Sequence, residues 1–272
     1  MPADEAGVSR SVRPLAVVPT YLRTEQDLEV LLRCLVSLSV TAPGLELLVV
    51  DDASPAPHLV DQVAVILPEL GGELHRKSEN SGFSATVNIG LSRALEWGQD
   101  AVLINADLEF TTPGWWEALR DRTDSSGRPA AVVGAFLTYP NGLIQHAGVA
   151  FSLLERKFVH RFRFGPAALP EAQRPTSCPV TGALQLIRHA TLVQIGVYDE
   201  GFRMGLEDVD YCLRVFDAGL ECIYEPEAHA VHAESAFRGR ATKKILAWQE
   251  TSTRHLWAKY ANADFSHWVP AL

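Results

Sequence analysis

The 272-residue chain contains no apolar run approaching the roughly 20 residues a helix needs to cross a bilayer. It is poor in positive charge, with 24 Lys and Arg against 33 Asp and Glu, and the net −9 argues against general affinity for DNA, RNA or an anionic membrane. A local basic pocket for a phosphate-bearing small molecule stays open. There is no GxxxxGK[ST] loop and no GxGxxG turn, so neither a Walker-type nucleotidase nor a dinucleotide-binding turn is supported. There is no Gly-x-Ser-x-Gly elbow, so a serine hydrolase has little support. The four cysteines, Cys34, Cys178, Cys212 and Cys222, make no CxxC pair. Cys34 and Cys212 fall on apolar helical stripes, and buried reduced thiols in a cytoplasmic protein are expected. The acidic first residues lack a signal-peptide core, and residues 1–13 are expected to be a disordered lead-in. The expected location is the cytoplasm, with peripheral contact at the inner face of the membrane left open.

What is present is a rhythm. Leu15 to Pro19 is a short apolar strand running into Thr20 and Tyr21. Thr24 with Asp27 forms a capping box ahead of a helix marked by Leu28, Leu31, Leu32 and Leu35. Residues 45–50 form a second apolar strand that ends in Asp51-Asp52. A helix through Leu59 and Val63 and a short strand over 73–77 follow. Then come Asn80-Ser81-Gly82-Phe83, a helix through Val87 and Leu91, and a strand over 101–104 ending at Asn105-Ala106-Asp107. Strands alternating with helices at this spacing predict βαβ units and a mainly parallel sheet. In such sheets ligands bind beyond the carboxyl ends of the strands, where Thr20, Asp51, Asp52 and Asp107 fall.

After about residue 125 the rhythm changes. Strands are expected over 131–137, 147–151 and 180–187, with a polar connection over about 161–179. Val209, Cys212, Leu213 and Phe216 at i, i+3, i+4 and i+7 predict a helix whose first turn carries Glu207, Asp208 and Asp210. A strand near 222–224, the His232 segment and a closing helix over 243–260 complete the chain. There is no internal repeat. The length fits one large domain, residues 14–272, with 14–125 and 126–240 as its halves and 241–272 as a closing helical segment.

Each polar group has two readings when taken alone. The acids at 207, 208 and 210 supply a general base, or they complement the helix dipole. Asp107 is a hard oxygen ligand for Mg²⁺ or Mn²⁺, or a loop cap. Asp51 and Asp52 accept hydrogen bonds from a base or ribose, or cap the next helix. His232 is a ligand or a satisfied structural imidazole.

Taken in order, the segments resemble the inverting nucleotide-sugar glycosyltransferases of family 2, which have the GT-A fold. The series runs Val17-Val18-Pro19-Thr20-Tyr21, Val49-Val50-Asp51-Asp52-Ala53-Ser54, Asn80-Ser81-Gly82-Phe83 with Asn88-Ile89-Gly90, and Asn105-Ala106-Asp107 as the DXD-type element. Gln145-His146-Ala147-Gly148, Val180-Thr181-Gly182-Ala183, Glu207 to Arg214 and His232-Ala233-Glu234-Ser235 follow. The resemblance implies a Rossmann-like nucleotide-diphospho-sugar transferase fold, with a mixed, mainly parallel sheet flanked by helices. It implies nucleotide-sugar binding by Pro19, Thr20, Tyr21, Arg23, Asp51, Asp52, Asn80, Gly82, Asn105 and Ala106. It assigns a divalent cation, Mg²⁺ or Mn²⁺, to Asp107 and His232, and catalysis to Asp208 as base with Glu207 beside it. Gln145, His146, Gly182 and Glu234 would meet the acceptor or the donor sugar. The implied partners are a UDP-, dTDP- or GDP-sugar and a saccharide, lipid-linked or other hydroxyl acceptor. Residues 14–125 become the nucleotide-sugar half and 126–240 the acceptor and catalytic half. Two departures stand out: Leu22 precedes Arg23 where the family often has Asn, and Asn105 replaces the first acid of the DXD element. A nucleotidyltransferase of the same fold is the enzyme alternative, and Pro19-Thr20-Tyr21-Leu22-Arg23 lacks its glycines. The other alternative is a catalytically silent binding protein.

Overall fold

A computed structural model describes residues 13–234, 243–265 and 269–270. The lead-in expected over 1–13 lies, apart from Arg13, outside the described residues, as does Ser235 of the last motif.

The apolar runs become the inner strands. β1 (Leu15–Thr20) leads through the Thr24–Asp27 capping box into α1 (Glu25–Thr41), and β2 (Glu46–Asp51) leads into α2 (Pro57–Ile66). β3 (Gly72–Arg76), α3 (Phe83–Trp97) and β4 (Ala101–Ile104) complete the alternating half. β3, β2, β1 and β4 lie side by side and parallel, Val17 opposite both Leu48 and Leu103. β5 (Leu108–Glu109), α4 (Trp115–Asp121), β6 (Val132–Thr138) and β7 (Ile144–His146) follow.

β8 (Val149–Ser152) and β9 (Lys157–His160) form a separate hairpin. β10 (Thr176–Ser177), β11 (Leu184–Ile187), α5 (His189–Ile195), α6 (Glu207–Asp217), β12 (Cys222–His232) and α7 (Lys243–Lys259) end the order. β11 inserts antiparallel between β4 and β6, and β12 runs parallel to β6, so one mixed, mainly parallel sheet carries strands from both halves. Apolar clusters cover its two faces. One holds Val49, Val102, Leu186 and the buried side of α1, and the other holds Val17, Leu103, Ile187 and the buried sides of α3 and α6.

One expected strand is shorter than its apolar run. Only Leu184–Ile187 of residues 180–187 pairs in the sheet. Val180 instead packs on Gly134, where a built Cβ would sit 2.2 Å from it, and the Gly182 N–H turns away to a side chain of α6.

Candidate active site

The carboxyl ends of β1, β2 and β4 open onto a cavity of about 270 Å³. Pro19, Thr20, Tyr21 and Arg23 enter from the end of β1, Asp52 from β2, and Asn105, Ala106 and Asp107 from β4. Asn80 and Gly82 close one side, Gln145, Gly182, His232 and Glu234 another, and Glu207 and Asp208 a third. Thr20 Oγ1 is buried on this wall with no hydrogen-bond partner among the described residues, so a polar ligand group is its natural complement.

Asp107 and His232 meet because β5 pairs with the end of β12, His232 opposite Leu108. His232 Nε2 lies 2.9 Å from Asp107 Oδ1, both side chains about 7% exposed. Gln145 fixes the tautomer. Its Nε2 donates to the His232 carbonyl and to Glu234, 3.4 and 3.3 Å away, so its Oε1, 2.5 Å from His232 Nδ1, accepts a proton carried there. Nε2 then turns a lone pair toward a carboxylate oxygen, an arrangement that requires a shared proton or a cation. Two cis ligands of an octahedral ion at 2.0–2.1 Å are about 2.9 Å apart, so the pair fits Mg²⁺ or Mn²⁺. No group of three or more ligating side chains exists among the described residues. The pair therefore leaves most of a coordination shell to substrate oxygens and water. Asn105 Nδ2, 3.4 Å from His232 Nε2, stays at the edge of this pair.

Asp208 stands at the second position of α6, where the positive end of the helix favours an anion. Its Oδ2 accepts from the Gly182 N–H at 2.9 Å and its Oδ1 from the Val209 N–H at 2.8 Å. Leu206, just before the helix, adopts φ +70, strained for a branched residue. Glu207 is buried beside it, and Asp210 is fully buried, accepting from Arg214 and Tyr260 at 3.0 Å each and pairing with Lys259 at 2.7 Å. The three acids thus divide: two face the cavity and one anchors helices together.

Two expected residues do not line the cavity. Asp51 turns to the Ser54 hydroxyl and N–H, and Ser54 Oγ accepts from the Leu22 N–H at 2.6 Å, so this carboxylate ties the first two strand-end loops together. Burial raises its pKa against those hydrogen bonds. His146 is fully buried behind the wall. Its Nε2 accepts from the N–H groups of Gly148 and Thr181, which places the ring proton on Nδ1, 2.7 Å from His160 Nδ1. Burial, reinforced by His160, Arg161 and His232, holds its pKa well below the usual imidazole value. Asp52 lines the cavity, but its oxygens serve the Asn80 loop. They accept from Lys77 Nζ at 2.5 Å, Ser81 N–H at 3.0 Å and Gly82 N–H at 3.2 Å. Gly82, at φ +98, is required there because a Cβ would lie 2.5 Å from the Arg203 carbonyl oxygen.

Further lining comes from Phe83, His160, Arg163, Met204, Ile245 and Trp248. Arg163 bonds both Tyr139 Oη at 2.7 Å and Glu234 at 3.0 Å. Phe83 closes the Asn80 to Phe83 motif, but no local pattern marks the others, because their elements reach the cavity only through long-range packing; Lys77, next to a strand end, has a positional signal.

A family model, Glycosyl transferase family 2, matches residues 15–167, more than half of the chain. A mycobacterial enzyme, the N-acetylglucosaminyl-diphospho-decaprenol L-rhamnosyltransferase of Mycobacterium tuberculosis, is 28% identical over 195 residues, 64% of this chain and 62% of that one. The chain spans less than two thirds of the length of the curated relatives it matches. Among solved structures, GalNAc-T7 with UDP, GalNAc and Mn²⁺ superposes with a TM-score of 0.68 at 16% identity, over 93% of this chain and 50% of that one. The mannosyltransferase PcManGT from Pyrobaculum calidifontis, in complex with GDP-Man and Mn²⁺, gives 0.58 at 19% identity, over 98% and 81%. The fold is that of the GT-A glycosyltransferases. The chain belongs to glycosyl transferase family 2.

Proposed function

We propose that this protein transfers a sugar from a UDP-, dTDP- or GDP-linked donor to an acceptor hydroxyl, with inversion at the anomeric carbon and dependence on Mg²⁺ or Mn²⁺. The observation that carries the reading is one cavity lined both by an anchored carboxylate, Asp208, and by the paired Asp107 and His232. The donor nucleoside lies against Pro19, Thr20, Tyr21 and the Asn80 to Gly82 loop, with the Thr20 hydroxyl available to it. Asp107 and His232 would hold the metal, whose charge would offset that of a nucleoside diphosphate leaving group. Asp208, fixed through Gly182 and Val209, takes the proton of the acceptor hydroxyl as that oxygen attacks the anomeric carbon opposite the diphosphate. Gln145, Gly182 and Glu234 surround the reacting sugars. The chain is a single domain whose first half binds the donor and whose second half brings base and acceptor. None of its described helices is long and apolar enough to cross a membrane.

Asp208→Asn is expected to lower metal-dependent turnover of a panel of nucleotide sugars by roughly 10²- to 10⁴-fold. Nucleoside diphosphate binding, read by calorimetry, should stay unchanged. Near-normal turnover in this variant would remove Asp208 from the mechanism.

A further inference from the structure

A second cavity, of about 300 Å³, adjoins the first and shares Met204 with it. One face of α7 lines both in succession. Ile245 and Trp248 stand in the first cavity, and Thr253, Leu256 and Trp257 in the second. At 1.5 Å per residue, Ile245 to Leu256 spans about 16 Å, a path leading outward from the candidate active site. The character of that path changes along its length. At its inner end two cations frame the Trp248 ring, with Lys244 Nζ 4.5 Å from the centroid and the Arg203 guanidinium 5.7 Å from it. Farther out, the walls are mainly the hydrocarbon of Phe158, Leu206, Leu256 and Trp257, with Gln249 and Thr253 among them. Beyond Lys157 on the rim, the turn joining β8 to β9 presents Leu153 and Leu154, 65% and 93% exposed.

We propose that the acceptor is a lipid-linked saccharide, with its sugar at Asp208, an anionic linking group at Arg203 and Lys244, and the first part of its hydrocarbon chain in the second cavity. This rests on the transferase reading above for calling the ligand an acceptor. The polarity sequence carries it: carboxylate base, then the two cations about Trp248, then a mainly apolar trough, with α7 running beside the last two.

The probes are n-decyl phosphate and ethyl phosphate, titrated calorimetrically into the full chain below micelle-forming concentrations. Each methylene withdrawn from water strengthens binding roughly fourfold, so decyl phosphate should bind more than tenfold tighter than ethyl phosphate. Thr253→Trp, which fills the trough from an exposed position, should abolish that preference, and Thr253→Ala should keep it. Arg203→Ala with Lys244→Ala should weaken decyl phosphate several-fold. Equal affinity for the two phosphates, or an undiminished preference in Thr253→Trp, would overturn the proposal. Binding of UDP, GDP and dTDP with Mn²⁺ is measured in parallel. If decyl phosphate binds as expected and no nucleotide does, the hydrocarbon site stands, and both the transferase reading and the name of acceptor fall.

Discussion

At the residue scale, the amide of Gln145 performs two tasks at once. It receives the Nδ1 proton of His232 and donates to the His232 carbonyl and Glu234, so imidazole tautomer and orientation are set together. A histidine ligand whose outer nitrogen is held this way keeps its lone pair directed at the metal position. Gln145→Ala is therefore expected to weaken Mn²⁺ binding by roughly 10- to 100-fold, measured by paramagnetic resonance of the unbound ion. An unchanged Mn²⁺ affinity would count against His232 as a ligand. The same local logic separates Asp208 from Asp210, two positions apart on one helix. Among the described residues the first accepts only from backbone N–H groups and faces the cavity, whereas the second is engaged by Arg214, Tyr260 and Lys259.

At the scale of elements, α7 is fastened over α6 and the 199–203 loop by carboxylates. Asp210→Ala would leave Arg214 and Lys259 without their buried anion. The expected loss is about 2–3 kcal/mol, below the usual cost of breaking a buried pair because both cations keep some solvent access. Urea denaturation would measure it, and a loss under 0.5 kcal/mol, on the order of an exposed pair, would argue against the anchor. Asp199 grips the same end of the helix, through Lys259 and His255. Burial alone would raise its pKa, but hydrogen bonds from Lys259 and His255 reverse this and leave it well below 3.8. A carboxylate depressed in the folded state contributes stability that is complete above its unfolded pKa and lost as pH falls through the folded one. Protection of the α7 amides, relative to their intrinsic exchange rate at each pH, should thus fall below about pH 4, and in Asp199→Asn that acid-dependent step should shrink.

At the scale of the molecule, the sheet decides what is sealed. Cys34, Cys178, Cys212 and Cys222 are reduced and buried beneath it, and burial raises the thiol of Cys178 to about 11 and that of Cys34 further, with nearby Asp107 adding to the latter. Thiolate is the reactive form. Ellman's reagent should therefore find essentially no reactive thiol in the native protein and four after denaturation; rapid native labelling would mean that the packing around the sheet opens readily. The same sheet binds the two halves of the chain together, since β11 and β12 from the later half pair with β4 and β5 of the first.

Much of this architecture follows from the sequence, because its causes are local. Apolar runs such as Leu15–Thr20 and Glu46–Asp51 specify buried strands, and the acids after them mark the rim. The Thr24–Asp27 box and the i, i+3, i+4, i+7 spacing from Val209 to Phe216 specify helix starts and faces within a few residues of chain. The family resemblance then named Asp107, His232 and Asp208 together. What the tertiary structure alone decided is which of these groups meet and in what state. Asp107 and His232 are 125 positions apart, and only the β5–β12 pairing sets their atoms 2.9 Å from each other. Asp51 reads like Asp52 on the page, yet one side chain turns to Ser54 and the other to Lys77 and the Asn80 loop. The α7 face from Ile245 to Leu256 gains meaning only when it is laid against Met204 and Phe158. Periodicity and capping are short-range forces written into neighbouring residues, whereas the direction of a side chain at a strand end depends on partners supplied from elsewhere in the fold.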